Sequence, residues 1–144
     1  MRALLDVNFL VALLDVDHIF HKISMDWFKT NESGGWASCA ITQNGFVRVS
    51  SNTKYSGLSK FSITDSIDQL GKLIDETDHQ FWSDQISILD TSIFASDRIH
   101  GPRQLTDIYL LALATKKHGR LVTFDQNIPL SAVHGARPEN LYVL

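Results

Sequence analysis

A chain of 144 residues, 44% hydrophobic and 20% charged, is long enough to bury roughly 68–70% of its unfolded surface as one domain, 1–144. Its net charge of −3 gives no general attraction to polyanions, so any nucleic acid must be held by a local basic patch or a metal. The lone Cys39 excludes an internal disulfide, no run approaches the roughly 18 apolar residues of a membrane span, and no cleavable leader is readable; a cytoplasmic protein without membrane attachment is expected.

Ala3-Leu4-Leu5 reads as a buried strand that turns at Asp6, with Asn8 capping a helix over 9–14. Over 18–29, Ile19, Ile23 and Trp27 recur at helical spacing, and 31–35 reads as a turn. A short strand over 36–40 follows. Ser38 or Thr42 caps the next helix, 43–51, which buries Phe46, Val47 and Val49 and carries Gly45 at a cost of about 1 kcal/mol relative to Ala. The polar stretch 50–62, with Gly57, reads as a loop. Thr64 then caps an amphipathic helix with Ile67, Leu70, Leu73 and Ile74 inward. Phe81 and Trp82 form a packing anchor ahead of a strand over 86–89. A loop over 99–103 leads into the most apolar helix, 104–115, closed by Lys116, Lys117, His118 and then Gly119. Strands over 119–124 and 141–144 complete the chain. Strands alternating with helices predict a three-layer α/β domain, its mainly parallel sheet covered on both faces.

Asp6, Asp107 and Asp125 carry the functional signal. Asp6 ends one predicted strand, Asp125 ends another, and Asp107 lies in the first turns of the apolar helix. In an open α/β sheet, chemistry gathers outside the carboxyl ends of the strands, where helices begin. Each aspartate alone can be read as a helix cap or a dipole partner worth about 0.3–1 kcal/mol. Together, crowded carboxylates need hydrogen bonds, cations or a metal to offset their cost. Oxygen ligands without nearby histidine or cysteine favour Mg²⁺ or Mn²⁺ over zinc. Such an ion suits phosphodiester hydrolysis, because it acidifies an attacking water and neutralises charge on phosphoryl oxygens.

Four ordered blocks carry a resemblance: Leu4-Leu-Asp-Val-Asn8, Thr42-Gln-Asn-Gly-Phe-Val-Arg48, Arg103-Gln-Leu-Thr-Asp-Ile-Tyr-Leu-Leu-Ala-Leu-Ala114 and Gly119-Arg-Leu-Val-Thr-Phe-Asp125. Their sequence resembles PIN-domain proteins, most of all the VapC-type ribonuclease toxins of prokaryotic toxin–antitoxin pairs. The resemblance implies a three-layer PIN fold, a Mg²⁺- or Mn²⁺-dependent RNA endonuclease, a homodimer, and inhibition by a small antitoxin that enters the site. Asp6, Asp107 and Asp125 fall on the family's acidic positions as metal ligands and catalytic residues. Asn8 and Thr123 fall on supporting polar positions, with Thr106 beside Asp107. Where the family usually places a glutamate, this chain has Gln43, whose amide ligates a cation weakly. Gln43→Glu is therefore expected to raise cleavage, and the alternative reading is a catalytically weakened module that acts by binding RNA or antitoxin.

Arg103 and Arg48 are the leading candidates for phosphate contacts, with Lys54, Lys60 and Arg98 behind them, although a solvated surface charge is the default for each. His18 and His21 have a chelating spacing but no further ligands. Cys39 reads as a small core residue, and Trp27, Phe28, Phe81 and Trp82 as packing or dimer contacts. Asp6-Val-Asn8 is also similar to the haloacid-dehalogenase phosphatase motif, but the second acid of that motif is Asn8 here.

Overall fold

Five parallel strands form one sheet in the order β3-β2-β1-β4-β5, with β1 (Ala3–Leu5) at its centre. The structure, a computed structural model, describes residues 1–52 and 61–144; the Gly57 loop and the candidates Lys54 and Lys60 lie outside the described residues. In chain order the elements are β1, α1 (Val7–Leu14), α2 (His21–Asn31), β2 (Trp36–Ser38), α3 (Ala40–Ser50), α4 (Ile63–Glu76), β3 (His79–Phe81), α5 (Leu105–Lys116), β4 (Arg120–Thr123) and β5 (Leu141–Val143).

Strand residues alternate between two cores, as a sheet covered on both faces requires. Leu4, Ala37 and Leu121 pack with α5 residues Leu110, Leu111 and Leu113. Leu5, Trp36 and Val122 pack on the opposite face with Phe9, Leu10 and Leu13 of α1, Phe28 of α2 and Phe46 of α3. This is the expected three-layer α/β arrangement. Among the described residues no helix is long and apolar enough to cross a membrane.

Several local expectations are corrected. Asp6, not Asn8, caps α1, accepting the Val7 N–H at 2.7 Å, so the helix starts earlier. Helix α2 begins at His21, and Ile19 is 84% exposed with Ile23 also exposed; Ser24, Trp27 and Phe28 are the side it buries. Helix α3 starts at Ala40, where Thr42 Oγ1 accepts the Cys39 N–H at 3.0 Å. Ser62, not Thr64, caps α4 by accepting the Asp65 N–H at 3.0 Å, and Ile67 faces outward. No strand forms over 86–89, because Ser87 and Asp90 fold that stretch into turns and leave Leu89 exposed. The edge strand is instead His79–Phe81.

The end of α5 follows the expected basic-then-glycine pattern with a twist. His118, at φ 54°, takes the left-handed position, and the N–H groups of His118 and Gly119 donate to Thr115 O and Ala114 O. Gly119 serves another purpose: a Cβ there would lie 2.6 Å from both the Arg2 carbonyl oxygen and the Trp82 ring.

Candidate active site

The register of the sheet creates the site. Leu5 pairs with Val122, so Asp6 and Thr123, the next residues along each parallel strand, reach its carboxyl edge together. The Asp6 N–H donates back to Val122 O at 3.0 Å, which holds the two strand ends in step.

Thr123 is the hub. Its hydroxyl donates to Asp6 Oδ2 at 2.6 Å and accepts the Asp125 N–H at 3.0 Å and the Asn8 amide at 3.3 Å. Asn8 Oδ1 also accepts the Phe124 N–H at 3.4 Å. Asp125 Oδ1 accepts the Asn127 N–H at 2.8 Å, which fixes its carboxylate. Thr123 thus hydrogen-bonds Asp6 and Asp125 directly, and Asn8 reaches them through Thr123 and Phe124. Thr106 lies exposed on the first turn of α5.

The third acid comes from the other layer. Asp107, near the start of α5, is half-buried and its pKa is pushed up to about 7; partial burial is the largest cause, followed by the Asp6 charge and by hydrogen bonding and charge from Asp125. Asp6, only 5% exposed, is also raised: burial outweighs the hydrogen bonds from Thr123 and Val7, and the Asp125 charge adds to it. The three carboxylates therefore feel one another, and among the described residues none of them has a salt-bridge partner.

Crowded carboxylates of this kind are stabilised by a cation. Among the described residues no three His, Cys, Asp or Glu side chains form a ready-made metal cage. The donor set nonetheless fits Mg²⁺ or Mn²⁺, which need only one or two carboxylates and complete their shells with water and substrate oxygens. A divalent ion here would offset the burial and the neighbouring charges that raise the Asp107 pKa.

Asp6, Asn8 and Asp107 line a cleft of about 450 Å³ with Val7, Val11, His18, Phe20, Val49 and Phe124. Phe20, Phe124 and His18 were not anticipated as site residues. Phe124 is inside the Thr123-Phe-Asp125 motif, the one sequence signal that could have flagged it.

Gln43 and Arg48 line a second groove. It measures about 620 Å³ and runs between α3 and α4, walled by Val47, Ile63, Ile67, Leu70 and Ile74, with no carboxylate among its described lining residues. The Gln43 amide donates to Ser38 Oγ at 2.9 Å, and Ser38 Oγ lies 2.8 Å from His79 Nε2. Although larger, this groove lacks the chemistry of the acidic cleft. Arg103 is exposed on the turn Pro102–Gln104 that leads into α5, and Arg98 is exposed beside Asp97. The two histidines with chelating spacing are used internally: His18 Nδ1 accepts the Phe20 N–H, and His21 Nδ1 lies 2.9 Å from Ala12 O.

The pattern of the PIN domain matches residues 3–133. The chain belongs to the PIN-domain family. Within that family it is a VapC-type member: it is 51% identical over 144 residues to Ribonuclease VapC44 of Mycobacterium tuberculosis (strain CDC 1551 / Oshkosh), covering 100% of both chains. Ribonuclease VapC38 of Mycobacterium tuberculosis (strain ATCC 25618 / H37Rv) is 44% identical over 126 residues, covering 88% of this PIN protein and 86% of the relative. Ribonuclease VapC39 of the CDC 1551 / Oshkosh strain is 39% identical over 135 residues, covering 94% and 96%. The fold and its family were both expected from the four sequence blocks.

Proposed function

We propose that this PIN domain is a divalent-metal-dependent RNA endonuclease of a bacterial cytoplasm, the toxin of a toxin–antitoxin pair, working as a homodimer restrained by a small antitoxin. The observation that supports the reading is that Asp6 and Asp107 line one cleft while Asp125 lies close enough to raise the pKa of both, with no salt-bridge partner for any of the three among the described residues. Full-length kinship to chains named as ribonucleases agrees with it. The alternative of a module weakened by Gln43 draws no support from those names.

Asp6 and Asp107 would hold the Mg²⁺ or Mn²⁺ ion, with Asp125 as a direct or water-mediated ligand. When bound, the ion neutralises charge building on the phosphoryl oxygens and acidifies an attacking water. The rest is work by side chains. Thr123 keeps Asp6 oriented and favours its ionised form. The Asn127 N–H occupies Asp125 Oδ1 and so fixes the other oxygen's direction. Asp107, held half-buried near the start of α5, would offer its carboxylate to that ion. Arg103, just ahead of α5, is the proposed phosphate contact; Arg48, in the α3/α4 groove, would meet a more distant part of the RNA.

The test is cleavage of RNA by the purified chain with Mg²⁺ or Mn²⁺ and with chelator, for parent and Asp107→Asn. Metal-dependent cutting by the parent and a loss of at least about 100-fold in the variant are expected, the scale of removing one electrostatic catalytic group. A folded parent that cuts no RNA with either ion overturns the reading.

A further inference from the structure

We propose that Phe20, backed by Phe124 and flanked by His18, is a base-stacking subsite that seats one unpaired nucleobase of the RNA beside the acidic centre; this rests on the ribonuclease reading above.

The rings form a ladder. Phe9, fully buried, stacks on Phe124 with centroids 5.9 Å apart and planes 24° from parallel. Phe124 stacks in turn on Phe20 at 4.9 Å and again 24°. Phe20 is the outermost ring and is 44% exposed. The stack thus runs from the core to the surface and ends on an open aromatic ring, which another flat ring can extend.

Helix formation does not account for Phe20. It occupies the cap position of α2 without any side-chain capping hydrogen bond, where serine, threonine, aspartate or asparagine would be favoured. Its backbone is nevertheless pinned, because the Phe20 N–H donates to His18 Nδ1 at 3.0 Å. That bond places the neutral His18 ring proton on Nε2, a donor next to the phenyl, with ring centroids 5.8 Å apart.

The ladder shares its cleft with the acids. Phe20, Phe124 and His18 line the same 450 Å³ space as Asp6 and Asp107. Phe124 is covalently between Thr123 and Asp125, and its N–H is held by Asn8, so the middle ring is tied to the acidic centre itself. Single-stranded RNA is gripped by stacking unpaired bases on aromatic rings while the backbone is held nearby. The exposed Val16 and Ile19 of the same segment are the features a protein partner would use. The near-parallel stack and its junction with the carboxylates favour a nucleobase.

The experiment uses the full chain carrying Asp107→Asn to silence cutting, with fluorescein-labelled heptamers of adenylate and uridylate in Mg²⁺ buffer. Anisotropy gives affinity, and circular dichroism melts check that each variant folds. Phe20→Ala should weaken oligoadenylate binding by about 5- to 100-fold, the range for loss of one stacked base. Phe20→Leu, apolar but without a π face, should weaken it similarly, whereas Phe20→Trp should restore it, and adenylate should bind more tightly than uridylate. Leucine binding as well as phenylalanine overturns stacking. Unchanged RNA affinity in Phe20→Ala also overturns the subsite; if the parent cuts RNA, the ribonuclease reading survives. A parent that neither binds nor cuts RNA sinks both.

Discussion

The hydroxyl of Thr123 is saturated: it gives its one proton to Asp6 and takes N–H donors from Asp125 and Asn8. Thr123→Val keeps the branched shape but leaves Asp6 buried with one fewer donor, so the Asp6 carboxyl should rise further and hold a cation less well. Metal-dependent cleavage should fall about 10- to 100-fold, as for other outer-shell partners, and calorimetry of Mn²⁺ binding should show a matching loss. Asp107 gives a pH signature. Its folded pKa of about 7 stands above the ordinary 3.8, so between those values the folded chain holds a proton that the unfolded chain has released. Without metal, stability from this group is full at low pH and is lost as pH rises to about 7. Asp107→Asn should therefore melt higher than the parent in chelator at pH 8, by about 3 °C for roughly 1 kcal/mol after solvent screening, and show no advantage near pH 4. Adding Mn²⁺ at pH 8 should raise the melting temperature of the parent and not of the variant.

At the scale of elements, α3 is held by contacts invisible to a residue-by-residue reading. Gly45 reads as a weak point in a helix, yet a Cβ there would lie 2.4 Å from Val7 Cγ2, so glycine is what lets α3 approach α1 beside Asp6. Gly45→Ala should destabilise the fold by about 1–3 kcal/mol despite better helix propensity, and Val7→Ala in the same chain should recover most of the loss; urea melts check both. Gln43 begins another chain of dependence. Its amide donates to Ser38 Oγ, which lies 2.8 Å from His79 Nε2; a Ser38 hydroxyl that donates there keeps the His79 proton on Nδ1. Burial and the Arg2 charge hold the His79 pKa down, against the opposing Asp78 charge, in keeping with a neutral ring. A carboxylate at 43 cannot donate. Gln43→Glu should turn the Ser38 hydroxyl toward residue 43 and move the His79 proton to Nε2, as read by nitrogen NMR, and should raise cleavage at limiting Mn²⁺. A switched tautomer with an unchanged rate would confine position 43 to this network.

These cases show where the sequence was legible. Asp6 and Asp125 stood out because each ends an apolar run, and an apolar run that stops at a carboxylate marks a strand end in any parallel sheet. The long α5 was visible from its unbroken apolar stretch and basic end. Strand β3 was not, because an edge strand reading His79-Gln-Phe81 buries little and shows no alternation. Ile19 and Ile23 misled for the opposite reason: their spacing is helical, but they point outward where Trp27 and Phe28 supply the buried face. Phe20 gave no periodic signal at all, since its significance lies in Phe124, more than a hundred residues away.

For the whole molecule, the proposed homodimer is the simplest assembly to check. Light scattering on the purified chain should give twice 16.2 kDa at micromolar concentration, and the proposed antitoxin, added in stoichiometric amount, should suppress cleavage. A monomer mass that persists at high concentration would remove the dimer while leaving the acidic cleft intact.

The central place of β1 has a consequence for synthesis. Its strand emerges first, yet one whole flank stays bare until β4 arrives at Arg120–Thr123, and Asp107 and Asp125 are themselves latecomers. A ribosome translating this message therefore exposes β1 and Asp6 without their β4 partner until Arg120–Thr123 has emerged. The carboxylate cluster can assemble only after residues 107–125 have followed β1, β2 and β3 out and docked against β1.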